Sequence, residues 1–288
     1  MADHVERFAP SPTGPLHLGH AFSAITAWDR AQATAGRFLL RIEDIDQERS
    51  RLEWETLILQ DLTWLGLSWP EPVLRQSERL ETYREALQLL WSRELLYKCN
   101  CSRGDIRRHL TAPQEGSENY GPDGLIYPGT CRSRFRRGGL ITHTAVALRL
   151  DMQEATKDLT ELRFTETGIG PNGETGEIVF NPKDLIAGAG DILLARYKMA
   201  TSYHLSVVLD DAFQDVSHVT RGHDIFEATK LHVLLQHLLG LPTPIYHHHR
   251  LIRDENGKRL AKRDDARAIR KYREEGATPE DIRKMVGL

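Results

Sequence analysis

Cysteine is scarce in this chain, with three residues among 288, and all of them lie between Cys99 and Cys131. A small and odd number of cysteines excludes the disulfide framework that stabilises many small secreted domains. The chain also begins without the basic and apolar segments of a secretory signal. We therefore expect a reduced protein located in the cytoplasm.

Long hydrophobic runs and a strong net charge are absent as well. No stretch approaches the roughly 18 uninterrupted apolar residues that a membrane helix requires, so we expect no membrane partner. The net charge of −3 produces no global positive field that would by itself indicate a nucleic-acid partner. With 40% hydrophobic and 27% charged residues, the composition is that of an ordinary globular protein.

The first hundred residues carry the pattern of a βαβ unit. Residues 5–9 fit a buried strand, residues 17–32 have apolar side chains at helical spacing, and residues 38–42 fit a second strand. Prolines and a glycine between residues 10 and 15 predict a loop before the helix. A strand, a helix and a strand in this order favour a parallel sheet in an α/β fold. Further helices are expected around residues 52–65 and 78–95.

A change of composition after residue 98 predicts an insertion into the sheet domain. Gly, Pro and polar residues dominate residues 111–125, and strand and helix signals resume beyond residue 182. Two short helices are expected in the tail, the second of them capped by Thr278. The predicted organisation is a first catalytic half at 1–98, an insertion at 99–182, a second catalytic half at 183–249 and a C-terminal segment at 250–288.

Two histidines, His17 and His20, mark the start of the first predicted helix, with Gly19 between them. Their spacing of three places both imidazoles on one helical face. A helix N-terminus offers unsatisfied N–H groups and a partial positive charge, which favour phosphate. Taken alone, the two histidines are explained more simply as a packing residue and a surface residue. The motifs around them favour a nucleotide site instead.

Residues 7–14, Arg-Phe-Ala-Pro-Ser-Pro-Thr-Gly, and the following His17-Leu-Gly-His20 resemble the class I glutamyl- and glutaminyl-tRNA synthetases. In that family the "HIGH" motif opens the helix after the first Rossmann strand. Residues 257–263, Gly-Lys-Arg-Leu-Ala-Lys-Arg, stand in the place of the family's "KMSKS" loop. Here Arg259 replaces the first lysine, Ala261 replaces the serine, and Lys262 matches the second lysine. The resemblance implies a class I synthetase α/β fold: a Rossmann-type parallel sheet, an inserted zinc-containing acceptor-type subdomain and a short C-terminal helical segment.

The reaction implied by this resemblance is attack of an amino-acid carboxylate on the α-phosphate of ATP, with release of pyrophosphate. Its transition state carries concentrated negative charge, so catalysis is mainly electrostatic. A general base is not needed because the carboxylate is ionised at neutral pH. We predict His17, His20 and Lys262 as catalytic donors, with Mg²⁺ bridging the ATP oxygens. The predicted ATP-binding residues are His17, Gly19, His20, Arg259 and Lys262.

The resemblance also implies a glutamate pocket. Arg221 matches the arginine that binds the substrate side chain, Glu43 is expected to bind the ammonium group, and Tyr203 matches a substrate contact. Arginine suits this role because its guanidinium binds carboxylates bidentately. Taken alone, Tyr203 would be a core aromatic and Glu43 a solvated strand end. The predicted glutamate-binding residues are Arg7, Phe8, Ala9, Pro10, Ser11, Glu43, Tyr203 and Arg221.

The clustered cysteines predict a metal site, although three unrelated reduced thiols remain the simpler alternative. Zinc prefers four ligands in a tetrahedron, and Tyr127, His109 and His143 are candidates for the fourth position. The Tyr-x3-Cys ending at Tyr127 and Cys131 resembles that of the glutamyl-Q tRNA(Asp) synthetases within the same family. That resemblance implies one structural Zn²⁺ per chain, with the ligands Cys99, Cys101, Tyr127 and Cys131.

The chain stops shortly after Arg263, so we expect no helical anticodon-binding region of the kind found in full-length glutamyl-tRNA synthetases. With the Tyr-x3-Cys ending, this implies activation of L-glutamate by ATP and its transfer to the queuosine base in the anticodon stem-loop of tRNA(Asp). We expect a monomeric enzyme. Three alternatives stay open: a minimal glutamyl-tRNA synthetase that charges a tRNA 3′ end, a small-molecule nucleotidyltransferase, and a catalytically weak tRNA-binding paralogue.

Overall fold

The computed structural model describes residues 3–110, 120–133, 147–196, 199–253 and 267–288. These residues form parallel and antiparallel sheets flanked by helices. The strands are β1 (Val5–Phe8), β2 (Arg37–Ile42), β3 (Leu74–Arg75), β4 (Leu96–Cys99), β5 (Tyr120–Gly121), β6 (Gly124–Leu125), β7 (Ala147–Leu150), β8 (Leu162–Glu166), β9 (Gly176–Phe180), β10 (Leu193–Ala195), β11 (His218–Gly222) and β12 (Ile245–His249). The helices are α1 (Leu18–Ala33), α2 (Leu52–Trp64), α3 (Leu80–Ser92), α4 (Arg103–Leu110), α5 (Met152–Thr156), α6 (Asp184–Gly188), α7 (Tyr203–Phe213), α8 (Phe226–Leu239), α9 (Ile269–Glu274) and α10 (Pro279–Val286).

The predicted βαβ unit opens the structure. Strand β1 is buried throughout and pairs in parallel with β2, and β3 adds a third parallel strand. Helix α1 connects β1 to β2, and its apolar face, which includes Ala21, Ala24 and Ile25, lies in the core. The first predicted strand, helix and second strand are confirmed to within one or two residues.

A second sheet contains strands in the order β11, β12, β8 and β9. It lies beside the first sheet, where the Ser217 N–H, just before β11, donates to the Val5 carbonyl over 3.1 Å. Strands β8 and β9 come from the segment predicted as an insertion, yet β8 pairs in parallel with β12. Phe164 of β8 packs edge-on against Tyr246 of β12, with ring centroids 5.5 Å apart. Buried aromatic packing therefore places the end of the predicted insertion against the catalytic sheet.

The rest of the inserted segment is antiparallel. Strands β10, β7 and β4 form one sheet, and β5 and β6 form a hairpin. A small separate hydrophobic cluster contains Tyr97, Cys99, Tyr127 and Cys131. Tyr127 also pairs with Gly190, where φ is +67° and an added Cβ would lie 2.7 Å from the Ile126 side chain. Glycine is required there by both the backbone conformation and the close approach.

The tail returns to the start of α1. The Ile269 N–H donates to the Leu16 carbonyl over 2.9 Å, and Ala268 forms a β-bridge with His17. In α10, Arg283 donates to both carboxylate oxygens of Asp29 on α1, each over 2.8 Å. The predicted Thr278 cap of α10 is confirmed, with a reciprocal capping box. Among the helices of the described residues, none has the length and apolar character needed to cross a membrane.

Asp61 of α2 is a buried carboxylate whose oxygens accept no hydrogen bond from any residue in the described ranges. Burial raises its pKa to about 6, against the weaker opposing effect of Arg273, 3.6 Å away. Because the folded-state pKa exceeds the unfolded value of about 3.9, the stabilisation by protonated Asp61 is present below pH 4 and is lost as the pH rises through 6.

We therefore predict that Asp61→Asn raises the free energy of unfolding by about 1–3 kcal/mol at pH 7.5 and changes it little at pH 4. Urea unfolding of both proteins at the two pH values measures the difference. An equal effect of the substitution at both pH values would contradict the assignment.

Candidate active site

His17 and His20 cap the N-terminal end of α1. The Nδ1 atom of His17, the N-cap, accepts from the Gly19 N–H over 3.1 Å, and Nδ1 of His20 accepts from the His17 N–H over 3.2 Å. The rings stack with centroids 3.7 Å apart. Because both Nδ1 atoms accept, each neutral ring carries its proton on Nε2. The motif therefore combines a helix cap with two imidazole donors suited to phosphate oxygens.

The loop after β1 lies against the end of β2. The Glu43 N–H donates to the Pro10 carbonyl over 3.0 Å. Phe8 and Pro10 are buried, Ala9 is half-buried, and Ser11 is exposed. The carboxyl ends of two parallel strands are thus placed at the sheet edge where α/β proteins bind ligands.

Four charged side chains form a buried group behind this edge. The Arg7 Nε donates to Asp211 Oδ1 over 3.1 Å, and Arg41 donates to Asp211 over 2.7 Å and to Glu43 over 3.2 Å. Burial opposes ionisation of Asp211, but Arg7 and Arg41 lower its pKa below the usual value. Burial raises the pKa of Glu43 despite the same two arginines. Neither Arg41 nor Asp211 was predicted for this site, although the position of Arg41 in an otherwise apolar strand was a signal for it.

A cavity of about 500 Å³ lies next to this group. Three of the residues predicted for the glutamate pocket, Ser11, Glu43 and Tyr203, line this cavity, and the other five, Arg7, Phe8, Ala9, Pro10 and Arg221, do not. Burial raises the pKa of Tyr203, and Arg221, Glu43 and Arg7 act on it electrostatically, so its ring lies among these charges. Residues that were not predicted for this site also line the cavity: Arg103, Ile106, Arg107, Asp123 and Leu125 of the predicted insertion, and Asp191 of the predicted second catalytic half.

Arg221 is a buried guanidinium held by neutral side chains. Its Nε donates to His248 Nε2 over 3.0 Å, Nη1 donates to His232 Nδ1 over 3.0 Å, and Nη2 donates to Thr229 Oγ1 over 2.6 Å. No carboxylate of the described residues lies within ion-pair distance of it. Three of its five N–H groups are used by these bonds. A buried cation without a counter-ion is unfavourable, so this position suits an anionic ligand.

The structure brings together the four predicted metal ligands. The three cysteine Sγ atoms lie within 4.8 Å of one another, and Cys101 Sγ is 3.5 Å from Cys131 Sγ and 3.4 Å from the Tyr127 hydroxyl. Sulfurs in a tetrahedron about zinc are separated by roughly 3.8 Å, given Zn–S bonds of about 2.3 Å. The residues therefore fit a metal ion. His143 lies outside the described residues, as does the side chain of His109.

The predicted phosphate contacts Arg259 and Lys262 also lie outside the described residues. Their segment, residues 254–266, is followed directly by Arg267 and by Ala268, which pairs with His17. The described chain therefore resumes beside the histidine pair.

Comparison with known proteins confirms the family resemblance predicted from the two motifs. Residues 4–288 match the family model of the catalytic domain of class I tRNA synthetases (E and Q). The glutamyl-Q tRNA(Asp) synthetase of Rhodobacter capsulatus is 59% identical, over 99% of this chain and 100% of that protein. The enzyme of the same name from Symbiobacterium thermophilum is 38% identical, over 96% of this chain and 83% of its own length.

A solved structure is similar as well. The glutamate tRNA ligase of Elizabethkingia meningosepticum, in complex with its amino acid, superposes with a TM-score of 0.73 at 26% identity. The match covers 99% of this chain and 60% of that one, so this chain spans about three fifths of the solved ligase. The predicted class I synthetase catalytic fold is thereby confirmed. The chain belongs to the class I glutamyl and glutaminyl tRNA synthetase family and, within it, to the glutamyl-Q tRNA(Asp) synthetases.

Proposed function

We propose that this chain is a ligase that activates L-glutamate with ATP and transfers it to the queuosine base at the wobble position of tRNA(Asp). The observation that carries the proposal is the buried Arg221 guanidinium, which neutral partners hold and which His232 and His204 connect to the cavity that Glu43 and Tyr203 line. The names of the similar proteins support the same activity. The product is a modified tRNA base.

Glutamate has two carboxylates and one ammonium group, and the cavity edge offers complementary charges. Arg221 binds the side-chain carboxylate, since an arginine fork matches its geometry and charge. Glu43 binds the ammonium, which favours ionised Glu43 and offsets the effect of its burial. Arg7 already forms an ion pair with Asp211. Its positive charge therefore contributes to the electrostatics of the pocket as one member of this pair. Phe8, Ala9, Pro10 and Ser11 shape the loop, and Tyr203 contacts the substrate.

The α-carboxylate oxygen of glutamate attacks the α-phosphorus of ATP, the bond to the β-phosphate oxygen breaks, and pyrophosphate leaves. The Nε2–H groups of His17 and His20, together with Lys262, stabilise the developing charge. Gly19 and Arg259 complete the ATP site. Mg²⁺ bound to the substrate ATP would neutralise part of the phosphate charge.

Zinc is the metal that the ligand set favours, because three thiolates and one oxygen donor suit a structural tetrahedral site. Burial alone would raise the pKa of the Cys131 thiol. Hydrogen bonds from the Tyr127 side chain and from a backbone N–H outweigh this effect and lower the pKa to about 7. Cys99, Cys101, Tyr127 and Cys131 would hold one Zn²⁺ per chain, which would crosslink the inserted segment.

Tyr127→Phe tests the fourth ligand, because it keeps the ring under the Arg149 guanidinium and removes only the oxygen. We predict that zinc affinity falls on the order of 10-fold or more. Tyr97→Phe is the matched control: Tyr97 lies in the same cluster, but its hydroxyl donates to Asp191. Competition with a chromogenic chelator measures both, and unchanged affinity in Tyr127→Phe would exclude the phenol as a ligand.

The tRNA contacts the part of the cavity that residues of the inserted segment line. Arg103 and Arg107 are exposed, line the cavity and lie four residues apart on α4, hence on one face. Neither forms an ion pair with another residue of the described ranges. Two arginines beside the activated glutamate suit the phosphates that flank the acceptor base in the anticodon stem-loop. The proposed enzyme acts as a monomer, and its proposed location is the cytoplasm.

Replacing Arg103 and Arg107 together with alanine should lower glutamate transfer to tRNA about 10-fold and flatten its salt dependence. ATP–pyrophosphate exchange without tRNA should stay unchanged. The charge-matched control is the double substitution of Arg84 and Arg163, which are exposed and do not line the cavity. Equal losses in the two double variants would contradict this placement of the tRNA.

The decisive test incubates the protein with ATP, labelled glutamate and tRNA(Asp) with or without queuosine. The expected label depends on queuosine and survives removal of the tRNA 3′ end. Label lost with the terminal nucleotide would indicate a minimal glutamyl-tRNA synthetase. Binding of tRNA without pyrophosphate exchange would indicate a catalytically weak paralogue. Either result would overturn the proposal.

A further inference from the structure

A continuous series of hydrogen bonds passes through Arg221 and ends at a carboxylate on each side. One arm runs from Arg221 to His232 (3.0 Å), His204 (3.0 Å) and Asp123 (2.8 Å). The other arm runs to His248 (3.0 Å) and Glu166 (2.5 Å). We call this series the Arg221 network; its members are Asp123, His204, His232, Arg221, His248 and Glu166.

Arg221, at the centre of the Arg221 network, determines which atom donates and which accepts in each hydrogen bond. Arginine donates and never accepts, so His232 Nδ1 and His248 Nε2 must carry lone pairs. His232 then donates from Nε2 to His204, and His204 donates from its own Nε2 to Asp123. His248 donates from Nδ1 to Glu166. All three rings are therefore neutral, and each has one assigned tautomer.

Burial and charge favour these neutral rings. Burial, with a further contribution from Arg221, lowers the pKa of His232 well below its usual value. Burial also lowers the pKa of His248, against the opposing effect of Glu166. Both side chains are almost completely buried.

The arrangement orients the arginine without neutralising it. A carboxylate in direct contact would fix Arg221 but would also cancel much of its charge, as Asp211 does for Arg7. In the Arg221 network the two carboxylates are separated from the guanidinium by one or two imidazoles. The positive charge of Arg221 therefore remains available to an anionic ligand. Its partners on β12 and α8 fix the plane of the guanidinium.

We propose that His232 and His248 are positioning residues, which hold the Arg221 guanidinium in the plane required by the side-chain carboxylate of glutamate. Asp123 and Glu166 fix the tautomers at the two ends. The inference rests on the proposed function, since it assigns Arg221 to glutamate. It adds that discrimination for glutamate depends on two neutral histidines that do not touch the substrate.

Two substitutions of His248 separate its two hydrogen bonds. In His248→Gln the side-chain oxygen can occupy the Nε2 position and still accept from Arg221, while the bond to Glu166 is lost. In His248→Asn the amide nitrogen can occupy the Nδ1 position and still donate to Glu166, while Arg221 loses its acceptor. A purely structural role would not distinguish the two in favour of Gln.

The assay is ATP–pyrophosphate exchange with glutamate, without tRNA. His248→Asn should raise the KM for glutamate on the order of 10-fold and leave the KM for ATP unchanged, whereas His248→Gln should stay within about 3-fold of wild type. The controls are His247→Asn on the same strand and His237→Asn on the exposed side of α8, both outside the network. Neither control should change the KM for glutamate.

A second measurement does not depend on folding of the variants. Nitrogen NMR of histidine-labelled wild-type protein should show the Nδ1–H tautomer for His248 and the Nε2–H tautomer for His232 and His204. A different tautomer or a charged ring at His232 or His248 at pH 7 would overturn the inference, as would parallel KM changes in His248→Asn and His248→Gln. If wild-type protein shows no glutamate-dependent exchange, the proposed function itself fails. If wild type is active and the variants do not differ, only the positioning role fails.

Discussion

Arg221→Lys is expected to raise the KM for glutamate by about 100-fold or more in pyrophosphate exchange, with little change in the KM for ATP. Lysine keeps the positive charge, but it cannot keep three separated hydrogen bonds and a bidentate contact at once. Direct glutamate binding by calorimetry should show the same loss. The effect is large because a buried carboxylate would be left facing a misplaced point charge.

Arg79→Lys is the matched control for this substitution. Arg79 is also largely buried, but its charge is paired with Asp210, whereas Arg221 is held by neutral side chains. Its replacement should leave both KM values near wild type. A glutamate KM that is unchanged in Arg221→Lys, or that rises together with the KM for ATP, would remove Arg221 from the glutamate site.

His17→Asn is expected to lower kcat for pyrophosphate exchange by roughly 10² to 10³ while leaving the helix start intact. Asparagine is a strong N-cap, so its side-chain oxygen can replace Nδ1 as acceptor for the Gly19 N–H. What it lacks is the imidazole Nε2–H that we propose as a donor to the phosphate oxygens. The substitution thus separates the structural role of His17 from its proposed catalytic role.

Thermal unfolding should confirm that His17→Asn is as stable as wild type to within about 1 kcal/mol. Thr278→Asn makes the corresponding exchange at the cap of α10 and should change neither stability nor kcat. Full activity in His17→Asn would mean that this histidine acts only as a cap.

Local signals in the sequence predicted the loop and the helix start that carry the proposed phosphate site. The prolines of residues 10–15 and the spacing of His17 and His20 concern neighbouring residues, and the structure confirms the loop and the helix start. The carboxyl end of β2 at Glu43 follows from the same local pattern. The fold class was recognisable from the two motifs, and the sheet topology agrees with it.

Contacts between residues that are distant along the chain could not be predicted from the sequence. Arg41 and Asp211 are 170 positions apart, and their pairing follows from packing of α7 on the sheet. The pairing of β8 with β12 has the same origin, because a strand pattern contains no information about its partner. Arg221 was recognisable only by resemblance, and nothing in its local sequence indicated that His232 and His248 would be its partners. The roles of the individual site residues remain predictions.

The attachment of the tail to α1 has a kinetic consequence for Lys262. Six peptide units connect Lys262 to Ala268, which is bridged to His17, so the two sites can be no more than about 22 Å apart. A group tethered within this radius has an effective concentration in the millimolar range at the histidine pair. In the proposed reaction, Lys262 would therefore act on the nucleotide as an intramolecular ligand. The ion pair between Arg283 and Asp29, which touches no substrate, helps to maintain that local concentration.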